Sequence, residues 1–196
     1  MTPTIRLGRL FGIEIGANWS LIFIFALVTW TLATNVLSID VPGQSPAAYW
    51  LTAVAGAVLF YLCLLAHEMS HALVARRSGV KGAGITLWLF GGVSRLEGEP
   101  ASAGSEALIA GVGPLTSFVI ALIAFGLAAV IPGTGLVTDL CSYLAFVNVA
   151  LGLFNLVPAF PLDGGRLLSS FFWWRAKSRR RGVHNAVRIG RVFAFL

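Results

Sequence analysis

Long apolar runs separated by short polar breaks set the organisation of this chain. Residues 18–36 (NWSLIFIFALVTWTLATNV) carry no charge and are long enough to cross the hydrocarbon core of a bilayer. Residues 38–46 (SIDVPGQSP) read as a loop. Residues 49–77 form the longest apolar run and predict a second span. Arg76-Arg77 and then Gly79 supply its stop. Residues 105–131 and 136–157 predict a third and a fourth span, joined by a tight turn over 132–135.

The stretches between the spans have a different rhythm. Residues 4–15 alternate loosely and carry Arg6, Arg9 and Glu14, the pattern of a short β-strand or an amphipathic lead-in, of which the strand is favoured. Residues 80–103 are too polar to span. Within them residues 84–90 are β-prone, Gly91-Gly92 suggests a turn or kink, and residues 93–97 continue the pattern, so a small hairpin or sheet is expected. Residues 158–166 (PAFPLDGGR) break the fourth helix. Residues 167–174 are too short to cross and suit the interface, where Trp173-Trp174 would sit. A basic loop over 175–181 follows, and residues 183–196 look like the start of a further span. No internal repeat or low-complexity segment interrupts this order.

Composition agrees. The 196 residues are 57% hydrophobic and 11% charged, against about 25% charged in soluble domains. The fold class expected is an all-α polytopic membrane protein with about four complete transmembrane helices, the start of a further one, and a small membrane-associated β-sheet or hairpin. The N-terminus lacks the order of a cleavable signal peptide, so the first span is expected to remain as an anchor. Cys63 and Cys141 lie in apolar runs without metal spacing and read as small core residues. The net charge of +6 points to topology rather than to nucleic acid. Arg6 and Arg9, then Arg76, Arg77, Lys81 and Arg95, then the run over 175–181 fall on one side of the alternating spans. The positive-inside rule puts that side, with the N-terminus, in the cytoplasm.

Against this background His67-Glu68-Met69-Ser70-His71 stands out. Two histidines four apart lie on one helical face, one turn apart, and can share a metal ion. Polar clusters of this kind inside a span are costly and mark function. A catalytic zinc takes three protein ligands and leaves one position open. His67 and His71 supply two, and Glu68 suits the base that takes a proton from water. Only eight acidic residues exist, so the third ligand can be sought by elimination. Asp40 and Asp139 belong to the far side. Glu14, Glu97 and Glu99 lie in polar or strand-like segments, and Glu106 opens the third helix, where an acid suits the N-terminus. Asp163 remains, in the broken segment after the fourth span. His71 lies roughly 8 Å below the helix end, a depth that a broken segment can reach. Asp-Gly-Gly is equally ordinary turn chemistry, and Asn155 could simply bond a neighbouring helix. His184 follows the basic run and reads as interfacial.

His67–His71 together with residues 155–165 (NLVPAFPLDGG) resembles the paired signature of the site-2 proteases, the intramembrane zinc metalloproteases of peptidase family M50. Residues 87–93 (LWLFGGV) and Gly113-Pro114 resemble that family as well, so the likeness runs from about 5 to 190. The resemblance implies one Zn2+ per chain held by His67, His71 and Asp163, with Glu68 as general base. It implies that Asn155 orients substrate or stabilises the oxyanion of the scissile carbonyl. It also implies that the segment from Gly84 to Leu96 offers an edge to an unwound transmembrane substrate by β-strand addition.

The expectation is a single membrane-embedded metalloprotease core over 1–196 of a bacterial or archaeal cell membrane, opening to the cytoplasm, with lipid and a transmembrane protein or peptide as partners. Members of similar appearance often continue into further spans and paired regulatory nucleotide-binding domains, so a shortened chain is expected. A different membrane peptidase of the His-Glu-x-x-His type would need a late glutamate ligand, and none follows in a suitable helix. A metal-binding transporter or structural membrane protein is the alternative from another class. It would need acids along a pathway, whereas the polar residues here converge on one place.

Overall fold

The computed structural model describes residues 5–88 and 91–194, with the side chains of 81–83, 91, 93–97 and 192–194 outside that description. Four helical runs in it are long and apolar enough to cross a membrane: Leu21–Asp40, Pro46–Arg77, Ala103–Val130 and Leu136–Asn155. Their outer faces are apolar; Leu115, Leu122, Phe125, Phe146 and Leu153 are all more than half exposed. Such surface suits lipid and not water. The chain is a polytopic membrane protein.

The first run comprises α1 (Leu21–Thr31), a π-helical turn (Leu32–Val36) and α2 (Leu37–Asp40). It ends four residues later than the expected 18–36 and shortens the predicted loop. The hydroxyls of Thr34 and Ser38 donate back to the Trp30 and Thr34 carbonyls at 2.8 Å each, so neither is left bare in an apolar setting. Helix α3 (Pro46–Arg77) begins where Ser45 accepts the Ala48 N–H and Pro46 opens the first turn. It stops at Gly79, whose φ of 83° is left-handed. Helix α4 (Ala103–Val130) starts with a reciprocal Ser102–Ser105 cap. Helix α5 (Leu136–Asn155) completes the spans. Cys63 and Cys141 are free thiols, and Cys63 packs against Ala124, Leu140, Leu144 and Ala145.

The expected sheet exists with more strands than anticipated. Residues 4–15 were expected as one strand. They hold β1 (Ile5–Leu10) and the start of β2 (Ile13–Ala17), an antiparallel hairpin. Its turn residues Phe11 and Gly12 have φ of 51° and 79°, the doubly positive pattern of tight hairpins. Phenylalanine is an unusual choice there, so no turn signal was visible. The Arg76 guanidinium donates to the Phe11 carbonyl at 2.5 Å and ties the turn to the end of α3. β2 pairs in parallel with β3 (Lys81–Trp88), which pairs antiparallel with β4 (Gly91–Glu97), in the order β1-β2-β3-β4. Gly91-Gly92 is not the turn. These residues face Trp88 and Leu87 as the first pairs of β4, and the connection between them, at Leu89 and Phe90, lies outside the described residues.

Ile13, Ile15, Ile85 and Leu87 of the sheet bury against Leu64, Met69 and Ala72 of α3. Each such side chain contributes about 1.5–3 kcal/mol by leaving water. The sheet is thereby clamped onto the turn of α3 that carries the histidines. Beyond α5 the chain breaks over 156–162 and resumes as α6 (Asp163–Ala176) and α7 (Arg179–Ala194). The break is thus shorter than 158–166, and the basic stretch 175–181 is mostly helix. Only Lys177, left-handed at φ 52°, and Ser178 separate the two helices. α7 is amphipathic. Gly182, Ala186 and Gly190 are buried, while Arg181, His184, Arg188 and Arg191 are exposed.

Candidate metal centre

α3 presents His67 and His71 toward α4 and buries both. Glu68, between them in sequence, points about 100° around the helix from His67 and is half-buried. The break after α5 returns the chain so that Asp163, the first residue of α6, faces the histidines. Among the described residues these three form the cluster able to hold a metal ion. His67 Nε2 and His71 Nε2 are 3.2 Å apart. Asp163 Oδ2 lies 3.3 Å from the first and 3.1 Å from the second.

Those spacings are a test of fit. A tetrahedral zinc with His and carboxylate bonds of about 2.0–2.1 Å separates its ligand atoms by about 3.3–3.4 Å. The three observed edges match that triangle within about 0.3 Å. The opposite ring nitrogens decide which lone pairs are free. His71 Nδ1 is 2.5 Å from the Ile109 carbonyl oxygen, which can only accept, so Nδ1 carries the proton and Nε2 keeps its lone pair. His67 Nδ1 is 2.8 Å from Ser117 Oγ, a side chain with no solvent exposure. The same tautomer lets it donate there. Both partners come from α4, which orients the two rings from behind.

α4 approaches closely because Gly113 has no side chain. A Cβ there would overlap the His71 ring and lie 2.7 Å from His67 Nε2. Gly92 of β4 plays the matching part on the other side: a Cβ would lie 2.6 Å from Glu68 Cδ and 2.8 Å from Oε1. The edge strand of the sheet therefore runs against the Glu68 carboxylate. The Glu68 side chain, one residue from His67 on α3, thus lies against strand backbone at Gly92. Asn155 lies in the last turn of α5, half-buried, and donates to the Leu151 carbonyl at 2.9 Å.

A model of peptidase family M50 matches residues 55–142 and 133–196. The chain belongs to peptidase family M50. Rip3 of Mycobacterium tuberculosis is 43% identical over 199 residues, covering all of this chain and 50% of that protein. Zinc metalloprotease MJ0392 of Methanocaldococcus jannaschii is 32% identical over 168 residues, 86% of this chain and 45% of its own length. This M50 chain thus spans about half the length of the curated relatives it matches. The solved site-2 protease from Methanocaldococcus jannaschii superposes with a TM-score of 0.64 at 30% identity, covering 97% of this chain and 81% of that one.

The structure brings His67, His71 and Asp163 together, places Glu68 next to His67 on α3 and against Gly92 of β4, and leaves His184 exposed on α7. Sequence reasoning did not find Ser117 or the Ile109 carbonyl as partners of the rings. A serine and a main-chain oxygen in an apolar helix carry no signal until that helix is packed. Nor did it find Glu106 as a buried partner of Arg179, 3.9 Å away.

Proposed function

We propose that the chain is the membrane-embedded core of a zinc metalloprotease that hydrolyses a peptide bond within or near a transmembrane segment. The observation that carries this reading is the triangle of two imidazole nitrogens and one carboxylate oxygen, 3.1–3.3 Å on each side, buried inside the helices of a membrane protein. His67, His71 and Asp163 hold the metal. Zinc, when bound, polarises the scissile carbonyl and lowers the pKa of a water. Glu68 takes the proton from the attacking water and delivers it to the leaving amine. Asn155 keeps one amide N–H beyond the one given to Leu151, and this N–H serves the substrate or the developing oxyanion.

Substrate lies along β4. This strand is an edge of the sheet, and its Gly92 abuts Glu68. A stretch of unwound transmembrane segment added to that edge has its backbone paired and its carbonyls beside the base. Unwinding is required because a helix hides its own carbonyls in intrahelical bonds. The basic end of the molecule, with Arg76, Arg77 and the run 175–181, faces the cytoplasm, and water reaches the site from there.

The test is zinc content and cleavage of a model transmembrane substrate, wild type beside Glu68→Gln, in detergent. About one zinc in each protein with cutting by the wild type alone is the expected result. Zinc in both and equal cutting by both would overturn the role of Glu68. Absence of zinc from a folded wild type would overturn the metal centre.

A further inference from the structure

Asp163 is the ligand with the weakest local support, because it follows seven residues of irregular backbone. That backbone is held between two glycine-lined contacts. On one side, a Cβ on Gly164 would overlap the Leu156 and Val157 carbonyls, and one on Gly165 would lie 2.7 Å from the Ala159 carbonyl carbon. The start of α6 is therefore in backbone contact with the loop. On the other side stands α7. A Cβ on Gly190 would lie 3.2 Å from Ala159 Cα and 3.3 Å from the Pro158 oxygen.

α7 is itself pinned along its length. A Cβ on Gly182 would lie 2.7 Å from the Ser169 oxygen and 2.8 Å from the Trp173 nitrogen of α6. Ala186, one turn on, has no solvent exposure. At the first residue of α7, Arg179 pairs with Glu99, stands 3.9 Å from the buried Glu106 of α4, and places its guanidinium 5.8 Å over the Trp173 ring. Gly182, Ala186 and Gly190 recur every four residues and so share one face.

We propose that α7 is a brace for the metal site: its Gly182–Ala186–Gly190 face holds the 156–162 loop in place and so positions Asp163 on the metal, with Gly190 as the contact residue and Arg179 as the latch at the far end. Gly190 is a positioning residue, and it acts through Pro158, Ala159 and Asp163. The inference rests on the metal-centre reading above. It gives the amphipathic helix after the basic run a task at the site.

The test uses the full chain in detergent. Zinc affinity is read by competition with a chelating dye, and coordination by the visible spectrum of the cobalt-substituted protein. Gly190→Leu is expected to weaken zinc about 10–100-fold, the range for changes behind a metal ligand, and to reduce the tetrahedral cobalt bands. Gly190→Ala, which needs only a few tenths of an ångström, stays within about threefold of wild type. Gly126→Leu, on an open face of α4 where a Cβ meets nothing within 4 Å, changes neither readout.

A folded Gly190→Leu with wild-type affinity and spectrum overturns the brace. If that variant does not fold, Arg179→Gln carries the test, since it frees the other end of α7 without touching the loop. A few-fold loss of affinity with an altered cobalt spectrum supports the brace, and an unchanged spectrum overturns it. Asp163→Ala separates the two ideas. If it leaves zinc affinity unchanged, the metal-centre reading fails. If it weakens zinc while Gly190→Leu does not, only the brace fails.

Discussion

The two halves of the proposed metal centre are built by different means. His67 and His71 come from one uninterrupted helix, and the helical period alone sets them on a common face. α4 then fixes both rings through Ser117 and the Ile109 carbonyl. Asp163 arrives from a broken segment whose path depends on glycine contacts with α6 and α7. One half is regular and locally encoded. The other is irregular, and residues far along the chain hold it in place. A helix delivers two ligands at a fixed spacing, but a catalytic zinc needs a third from another direction, and a break is how a membrane helix can turn a carboxylate inward without leaving lipid-exposed backbone.

Removing a ligand from either half tests whether the halves contribute equally. His71→Ala and Asp163→Ala should each lose zinc by far more than the about 10–100-fold expected of changes behind the ligands. Metal content after dialysis measures this. Retention of stoichiometric zinc by Asp163→Ala would mean that the helical pair binds without the broken segment, and the contrast would collapse.

The next largest effect is expected at Gly113. A valine there must displace the His71 ring or push α4 away, and neither can move cheaply in a close-packed interior. Gly113→Val should reduce zinc affinity about 100-fold, with a destabilisation of about 1–3 kcal/mol from overpacking. Chelator competition and thermal unfolding give the two numbers. If affinity holds while stability falls, α4 is scaffolding and does not orient the rings.

Gly92 probes the site away from both halves. Gly92→Ala puts a methyl into the Glu68 side chain and should leave zinc binding intact while kcat falls about 10–100-fold, because a misplaced base loses much of the 10²–10⁴ that proton transfer supplies. Steady-state cleavage kinetics beside metal content decide it. Equal losses of zinc and kcat would place Gly92 with the metal and not with the base.

The same division explains what the sequence disclosed. The four spans, the pair of histidines and Glu68 were legible because hydropathy and a period of 3.6 act over neighbouring residues. Asp163 was reached by elimination among eight acids and by likeness to a family motif; no local pattern separates its Asp-Gly-Gly from an ordinary turn. The hairpin at Phe11-Gly12 stayed hidden because a phenylalanine occupies a left-handed position. The run 175–181 looked like a loop because arginines at a helix junction read as topology. Ser117, Gly190 and the role of Gly92 against Glu68 were invisible for one reason. Each matters through a contact with another element, and a single strand of letters does not show which elements meet.

Ser117→Ala is the smallest of the effects and the finest test of the regular half. The hydroxyl lies 2.8 Å from His67 Nδ1 and is fully buried. Alanine removes the oxygen and adds no bulk, so the fold has no reason to change. His67 then keeps its Nδ1 proton with nothing to accept it, which costs about 1–3 kcal/mol in a buried setting. The ring can relieve that cost by rotating or by moving the proton to Nε2, and either one takes the lone pair from the metal. Zinc affinity should fall about tenfold. Ser117→Thr, which keeps the hydroxyl, should recover most of the loss. Full affinity in the alanine variant would show that α3 and the Ile109 carbonyl suffice to hold the pair, so that the regular half needs even less outside help than its geometry suggests. A tenfold loss recovered by threonine would show that both halves of the centre depend on a neighbour and differ only in how far along the chain that neighbour lies.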